Sequence, residues 1–436
     1  MMTKYLTNIG VVMLDRVALL LFQLWMASYF VDNLTISGFG AWAFTLSSLS
    51  IILSIFILGI DIVVIRDIAR KTSTKGSCIL TGVTIQLLGL LVASCVSIFL
   101  FAGQGEIVIS SMKAILLANF FIICAKPSYW EYTAEVESKY KSIATIVTLL
   151  LLIPTTYALI NAGSLLDGGN VVYVYPLYYG LYFFVSFIVY LSFYRTDAKF
   201  RLSAKKIKEY FRSGGVLILS TLSVMVFTQS DVLMLNFISG TDVAGEYSAA
   251  TKISVSIFVI AGIIANTFYP KILELSEALQ LEFLKLLMSI LIVLSALGSL
   301  LTMLLASLSL YWLYGSNATE AMSSILSIHI WCSVFVFVGA LSSRYFYSKS
   351  YYRLEVGKTV IAALFNIGLN LMLIPLYGAE GAAIASVVAY FMANHLTLKL
   401  FNKSKVIFDV QTQAFLSAIN PYRYVFILRR LKCFFQ

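Results

Sequence analysis

Two opposite charges stand side by side near the start of an apolar segment, Asp15 and Arg16 in "MLDRVALLLFQLW" (13–25). Charges inside apolar segments are costly, so they are candidates for function. Adjacent residues on a helix point about 100° apart, and these two side chains therefore pair poorly with each other. Arg16 is either an anchor that snorkels to the membrane surface or a group that faces an internal cavity. Asp15 is a candidate for coupling or gating.

A second acid and base, Asp61 and Arg66, lie in "GIDIVVIRDIAR" (59–70), where the second apolar run ends. Five residues separate them, which is poor spacing for an ion pair within one helix. They are either an interfacial acid and base, or Asp61 gates an opening on the cytoplasmic side.

Asp231 and Lys252 lie inside two consecutive apolar runs, 215–238 and 247–269. We expect adjacent helices to bring them together as a buried ion pair. Such a pair either serves packing alone or faces a substrate, with Asp231 then a candidate for coupling.

Membrane helices must hold these residues. The 436-residue chain is 60% hydrophobic and 12% charged, against about 45–50% and about 25% in soluble domains. Its length allows about 12 crossings, and we predict an all-α integral membrane protein with these twelve runs: 9–31, 39–60, 79–102, 107–126, 143–161, 172–194, 215–238, 247–269, 285–306, 322–343, 357–376 and 380–400.

The basic residues orient the chain. With a cytoplasmic N-terminus, all of the 31 Lys and Arg residues except Arg16, Lys113 and Lys252 fall on the cytoplasmic side, which places both termini there. Anionic membrane lipids are the expected partner of the net charge of +10. A nucleic-acid partner is not expected, because no soluble domain could form a groove.

Six runs precede the longest loop and six follow it. The predicted parts are an N-terminal six-helix lobe (1–194), a basic cytoplasmic connector (195–213), a C-terminal six-helix lobe (214–400) and a basic cytoplasmic tail (401–436) whose end, 422–436, we expect to lie along the membrane surface.

The two halves match weakly at an offset of 205 residues, where Gly40 meets Gly245 and Trp42 meets Tyr247. Six crossings in each half leave both halves in the same orientation, so such a repeat would be parallel.

Enzyme chemistry finds little support in the sequence. The "GKT" at 357–359 lacks the glycine that a phosphate-binding loop needs at position 352, and the Cys and His residues show no metal-ligand spacing. We expect no metal and no cofactor. Trp25 and Trp42 are weak candidates for stacking on sugars.

Several stretches resemble a known family. "SDVLMLNFISGTDVAGEYSAATKI" (230–253) and "NIGLNLMLIPLYGAEGAAIASVVAY" (366–390) look like signatures of polysaccharide transporters, as do "GFGAWAF" (38–44) and residues 59–70. The chain resembles the O-antigen flippases, of the polysaccharide transporter family within the multidrug, oligosaccharidyl-lipid and polysaccharide exporter superfamily. The resemblance covers nearly the whole chain.

The resemblance implies two lobes around a central cavity in a bacterial inner membrane. The cargo would be an oligosaccharide linked to undecaprenyl pyrophosphate, flipped by alternating access that Na⁺ or H⁺ could drive. Arg16 looks like the family's helix-one arginine, Lys252 is the nearest match in helix eight, and Arg66 is a further boundary cation. A polysaccharide polymerase is a candidate protein partner.

Two alternatives stay open. A cation-coupled multidrug exporter would share the fold and use acidic residues such as Asp61 and Asp231. A membrane polymerase or ligase is less favoured, because all the predicted outer loops are short.

Overall fold

The protein is nearly all helical in the part of the chain that the structure describes. The structure is a computed structural model that describes residues 2–57, 59–70, 74–135, 137, 139–161, 168–193 and 201–418. The first six helices are α1 (Met2–Phe56), α2 (Asp61–Ala69), α3 (Lys75–Leu100), α4 (Glu106–Ala134), α5 (Lys139–Asn161) and α6 (Val174–Phe193). The others are α7 (Ala204–Ile238), α8 (Thr241–Glu274), α9 (Glu277–Leu304), α10 (Ala306–Tyr314), α11 (Glu320–His329), α12 (Cys332–Ser348), α13 (Tyr352–Asn394) and α14 (Lys405–Ala418).

Ten helical segments within the described ranges are long and apolar enough to cross a membrane. The protein is therefore a multi-pass membrane protein, and the predicted all-α fold class is confirmed. Two of the ten, Met13–Phe56 and Tyr352–Lys399, each cover two predicted runs. A 44-residue helix is about 66 Å long, roughly twice the hydrocarbon thickness of about 30 Å. The count of twelve crossings stays a prediction.

Both long helices are interrupted between the predicted runs. Thr35 breaks α1 with φ 66° and ψ 171°, and Gly378 breaks α13 with φ 56° and ψ −131°. Glycine adopts this region freely, whereas a β-branched residue there is strained. The Thr35 hydroxyl accepts a 3.4 Å hydrogen bond from the Gly38 amide, close to where the second half of α1 begins.

A backbone feature recurs at the offset seen in the sequence. Gly240, between α7 and α8, has φ 97° and ψ 170°, close to the values at Thr35, and lies 205 residues after it. This agreement favours the predicted internal repeat.

The chain divides into two compact units, Met1–Gln229 and Ser230–Gln436. The division falls inside α7 and not in the predicted connector. The connector is also partly helical, because α7 begins at Ala204. The predicted lobe limits stay predictions.

Unit 1 has an apolar core between α2, α3, α4 and the start of α7. Val64, Ile85, Trp130 and Tyr210 are fully or almost fully buried in it. Burial, with a contribution from the neighbouring Cys78, raises the pKa of the Tyr210 phenol. The first turns of α7 are therefore anchored on unit 1.

Unit 2 has its apolar core between α8, α9, α12 and α14. Phe283, Leu341 and Phe346 are fully buried there, and α14 contributes Ile407 and Ala414. The predicted tail therefore begins with a helix that packs on the core, while 422–436 lies outside the described residues.

Candidate functional site

Arg16 lies on α1 with its side chain exposed. Its guanidinium makes no hydrogen bond or ion pair with the described residues. Gln23, seven residues further along the same face, is also exposed and has no such partner. This face of α1 thus carries a cation and an amide that have no partner among the described residues. Both groups are available to bind an anion.

Asp15, next to Arg16, has the opposite environment. It is 1% exposed, and Lys141 of α5 donates to its Oδ2 atom across 3.3 Å. The other carboxylate oxygen, Oδ1, is buried without a hydrogen-bond partner. The Lys141 ammonium also lies 5.6 Å from the centroid of the Tyr129 ring. Asp15 therefore links α1 to α5. Lys141 was not predicted as its partner, because sequence spacing does not reveal pairs between helices.

The two candidate sugar-stacking tryptophans differ in access. Trp25 is 36% exposed and stacks on Tyr29, with ring centroids 5.4 Å apart and planes 12° apart. Trp42 is 2% exposed and makes edge contacts with Phe30 and Tyr175. The Trp42 ring is therefore not accessible to a sugar in this conformation, whereas the Trp25 ring is partly open.

Asp61 is the centre of a polar cluster where α2, α3 and α4 meet. Its carboxylate accepts hydrogen bonds from Trp130 Nε1 at 2.8 Å, Lys126 Nζ at 3.1 Å and Gln86 Nε2 at 3.2 Å. Asp61 lies at the first residue of α2, where the helix dipole favours a carboxylate. Each donor comes from a long helix, so this carboxylate holds three elements together.

Arg66 does not pair with Asp61, as the five-residue spacing predicts. Its Nε and Nη2 atoms donate to one oxygen of the neighbouring Asp67, at 2.9 and 2.8 Å. Asp67 therefore partly neutralises the charge of Arg66. The Arg66 side chain is 41% exposed, so the guanidinium remains accessible from outside the protein.

Asp231 of α7 is buried among neutral hydrogen-bond donors in unit 2. Tyr247 donates to Oδ2 at 2.6 Å and Asn370 donates to Oδ1 at 2.7 Å, while Ser386 also donates to Oδ2. Two polar atoms beside it, Asn370 Oδ1 and Asn366 Nδ2, are buried without partners. No described cation neutralises this carboxylate, and polar side chains from α8 and α13 converge on it.

The expected ion pair between Asp231 and Lys252 is not formed. Lys252 is half-buried on α8, and its ammonium makes no ion pair or hydrogen bond within the described ranges. The tyrosine of the same helix, Tyr247, reaches Asp231 instead. The only sequence signal for the two asparagines is their four-residue spacing, 366 and 370, on one face of an apolar helix.

The chemistry available differs between the two units. Unit 1 presents an unpaired guanidinium on α1, together with ion pairs that join helices. Unit 2 presents a buried carboxylate with oxygen neighbours and an unpaired ammonium. In the described residues no group of three or more His, Cys, Asp or Glu side chains could hold a metal ion.

Comparison with known proteins settles the family. Residues 5–276 match the family described as "Polysaccharide biosynthesis protein". The chain belongs to this family. The match covers more than half of the chain, including α1 with Arg16 and the start of unit 2 with Asp231, and it confirms the resemblance seen in the sequence.

Two bacterial proteins are similar in sequence. The "Putative O-antigen transporter" of Escherichia coli strain K12 is 21% identical over 404 residues, which are 87% of this chain and 92% of that protein. The "Uncharacterized membrane protein EpsK" of Bacillus subtilis strain 168 is 33% identical over 89 residues, 20% of this chain and 17% of that protein.

Solved structures share the fold. "Lipid II flippase MurJ, inward closed conformation" aligns with a TM-score of 0.72 at 14% identity, over 98% of this chain and 97% of that one. An inward-facing multidrug resistance MATE family transporter of the MOP superfamily aligns with a TM-score of 0.67 at 16% identity, over 95% and 94%. The fold of this protein is therefore that of the MATE and MurJ transporters.

Proposed function

We propose that this protein flips an oligosaccharide linked to undecaprenyl pyrophosphate, an O-antigen or related repeat unit, from the cytoplasmic to the periplasmic leaflet. The family match and the similarity to an E. coli protein named as an O-antigen transporter support polysaccharide as the cargo. The likeness in fold to a lipid II flippase and a multidrug transporter supports alternating access as the mechanism. The proposed membrane is the bacterial inner membrane, with both termini cytoplasmic.

The observation that carries this proposal is the exposed guanidinium of Arg16, which has no acid partner among the described residues. A pyrophosphate is too polar to cross a hydrocarbon layer of about 30 Å unaided. Arginine binds phosphate through its planar fork, with two parallel hydrogen bonds. We assign Arg16 to the pyrophosphate, and we propose Lys252 and Arg66 as further substrate-binding cations.

Asp231 is our candidate for ion coupling. A buried carboxylate surrounded by neutral oxygen atoms suits either a proton or Na⁺, because both lower the cost of the buried charge. The unpartnered Asn370 Oδ1 atom adds an acceptor beside the carboxylate. Under this proposal, entry of the ion rearranges hydrogen bonds between α7 and α13, and this change accompanies the transport cycle.

Asp61 and Asp15 are assigned to the conformational change. Each bonds to a lysine on another helix, Lys126 and Lys141 respectively. An ion pair between helices near one end of a lobe can hold one state of a transporter and be released in another. We therefore propose gating for Asp61 and gating or packing for Asp15.

The test is complementation of a strain that lacks this gene. The strain should accumulate undecaprenyl-linked repeat units on the cytoplasmic face, and the wild-type gene should restore surface polysaccharide. Arg16→Ala should abolish the restoration at an unchanged level of membrane protein, and Arg16→Lys should restore part of it because it keeps the charge. Full polysaccharide output from Arg16→Ala would refute the role of Arg16.

A cation-coupled multidrug exporter is the alternative, and Asp231 is the observation that favours it, since a buried acid suits ion-driven drug export equally well. That function predicts increased drug sensitivity in the deletion strain with normal surface polysaccharide. A polymerase or ligase would instead change the length or attachment of the polysaccharide.

A further inference from the structure

Arg344, near the end of α12, contacts two aromatic rings. Its guanidinium carbon lies 5.3 Å from the ring centroid of Tyr347 and 6.0 Å from that of Tyr269 on α8. Two cation–π contacts restrict the guanidinium and use none of its N–H groups, which can donate to two oxygens of one acceptor.

No carboxylate neutralises Arg344 among the described residues. Other lysines at the same ends of α8, α12 and α13 each have an acid: Lys271 with Glu274 at 3.6 Å, Lys349 with Glu277 at 3.4 Å, and Lys358 with Glu355 at 3.0 Å. Each of these acids pairs with a lysine, and no described carboxylate forms an ion pair with Arg344.

One atom of Arg344 lacks a partner that it needs. Its Nε atom is buried and makes no hydrogen bond, although the side chain as a whole is half-buried and reaches the surface. A buried N–H group without an acceptor is destabilising, and nearly all such groups in proteins are satisfied. An arginine offers Nε and one terminal nitrogen as a matched pair of donors, which is the geometry that binds two oxygens of one phosphate.

We infer that Arg344, in contact with Tyr269 and Tyr347, binds a phosphate group of the lipid-linked substrate at its cytoplasmic entry. The inference rests on the proposed function, because the charge bias puts these ends of α8, α12 and α13 on the cytoplasmic side. A phospholipid headgroup carries the same phosphate chemistry, so the experiment must distinguish the two sources. From the sequence alone Arg344 is one of many cytoplasmic cations, since no spacing or motif reveals that it lacks an acid.

The experiment measures binding of undecaprenyl pyrophosphate to the purified full-length protein in phosphatidylcholine nanodiscs. Arg344→Ala should weaken binding at least about tenfold, which corresponds to about 1.4 kcal/mol, and Arg344→Lys should recover part of the loss. The matched control is Arg353→Ala, which removes an exposed arginine at the start of α13 and should change affinity by less than about twofold. Tyr347→Leu keeps the charge and removes one ring, and should weaken binding by a smaller factor.

A second set of nanodiscs contains phosphatidylglycerol as the competing source of phosphate. Competition that leaves the tenfold effect of Arg344→Ala in place supports the substrate assignment. Unchanged affinity of Arg344→Ala for undecaprenyl pyrophosphate overturns it, and so does loss of phosphatidylglycerol binding alone. Thermal unfolding of each variant shows whether it is folded. If Arg344→Ala does not fold, the affinities of Arg344→Lys and Tyr347→Leu for undecaprenyl pyrophosphate test the assignment instead. Wild-type affinity in both variants overturns it.

Complementation separates this inference from the proposed function. If the wild-type gene does not restore polysaccharide to the deletion strain, the proposed function fails whatever Arg344 does. If the wild type restores it and Arg344→Ala binds and transports as the wild type does, only the inference about Arg344 fails.

Discussion

The ion pair between Asp15 and Lys141 predicts an asymmetric effect of removing either partner. Lys141→Met leaves a carboxylate that is 1% exposed with no cation beside it. Losing one partner of a buried pair typically costs about 3–5 kcal/mol. Asp15→Asn leaves a lysine whose side chain is 24% exposed and lies over the Tyr129 ring. That ammonium can reach water, so we expect a cost of only about 1–2 kcal/mol, within the usual range for point mutations.

The double variant Asp15→Asn/Lys141→Met removes both charges and leaves no unpaired carboxylate. Replacing both members of a buried pair is often nearly neutral, so the double variant should be more stable than Lys141→Met alone. The assay is thermal unfolding of the three variants in one detergent, with complementation measured in parallel. Equal destabilisation by the two single variants would refute the reasoning. Restored stability without restored transport would assign Asp15 to gating, and restoration of both would assign it to packing.

Packing at two glycines and two tryptophans leads to two more predictions. Gly89→Ala should lower the unfolding temperature and the yield of folded protein, because an added Cβ would lie 2.1 Å from the Phe56 carbonyl oxygen. The control Gly298→Ala has nothing within 4 Å of its Cβ and should match or exceed wild-type stability. Equal effects of the two variants in thermal unfolding would contradict this prediction. Trp42→Ala should destabilise the protein by about 3–5 kcal/mol, because it replaces a large buried side chain with a small one. Trp25→Ala should leave the unfolding temperature within a few degrees of wild type and reduce transport. A Trp42→Ala variant as stable as the wild type would contradict the packing of the Trp42 ring.

Hydropathy predicts most of the fold because burial in lipid is a property of each segment alone. The break at Gly378 falls between the runs 357–376 and 380–400, and the break at Thr35 falls between 9–31 and 39–60. The start of α7 was less predictable: Tyr210 and its basic neighbours look like a loop by composition, and only packing on α2 and α3 makes them part of a helix that belongs to unit 1.

Side-chain pairing was predictable only within a helix. The spacing of Asp61 and Arg66 excluded a pair correctly, because distance along one helix is fixed by its geometry. The partner of Asp231 was not predictable, since Asn370 lies 139 residues away and lateral packing alone brings it close. The same holds for Lys141, which lies 126 residues from Asp15, and for the Tyr269 ring beside Arg344, whereas Tyr347 lies three residues after Arg344 on the same helix.

Reconstituted transport tests the proposed flippase function most directly. Purified protein in liposomes receives an undecaprenyl-pyrophosphate-linked oligosaccharide in one leaflet, and a lectin or enzyme outside measures its arrival in the other. Wild-type protein should move the substrate well above protein-free liposomes, and Arg16→Ala should reduce the rate to that background while remaining folded. Transport by Arg16→Ala at the wild-type rate, or no transport by the wild type under a Na⁺ or proton gradient of either direction, would contradict the proposal.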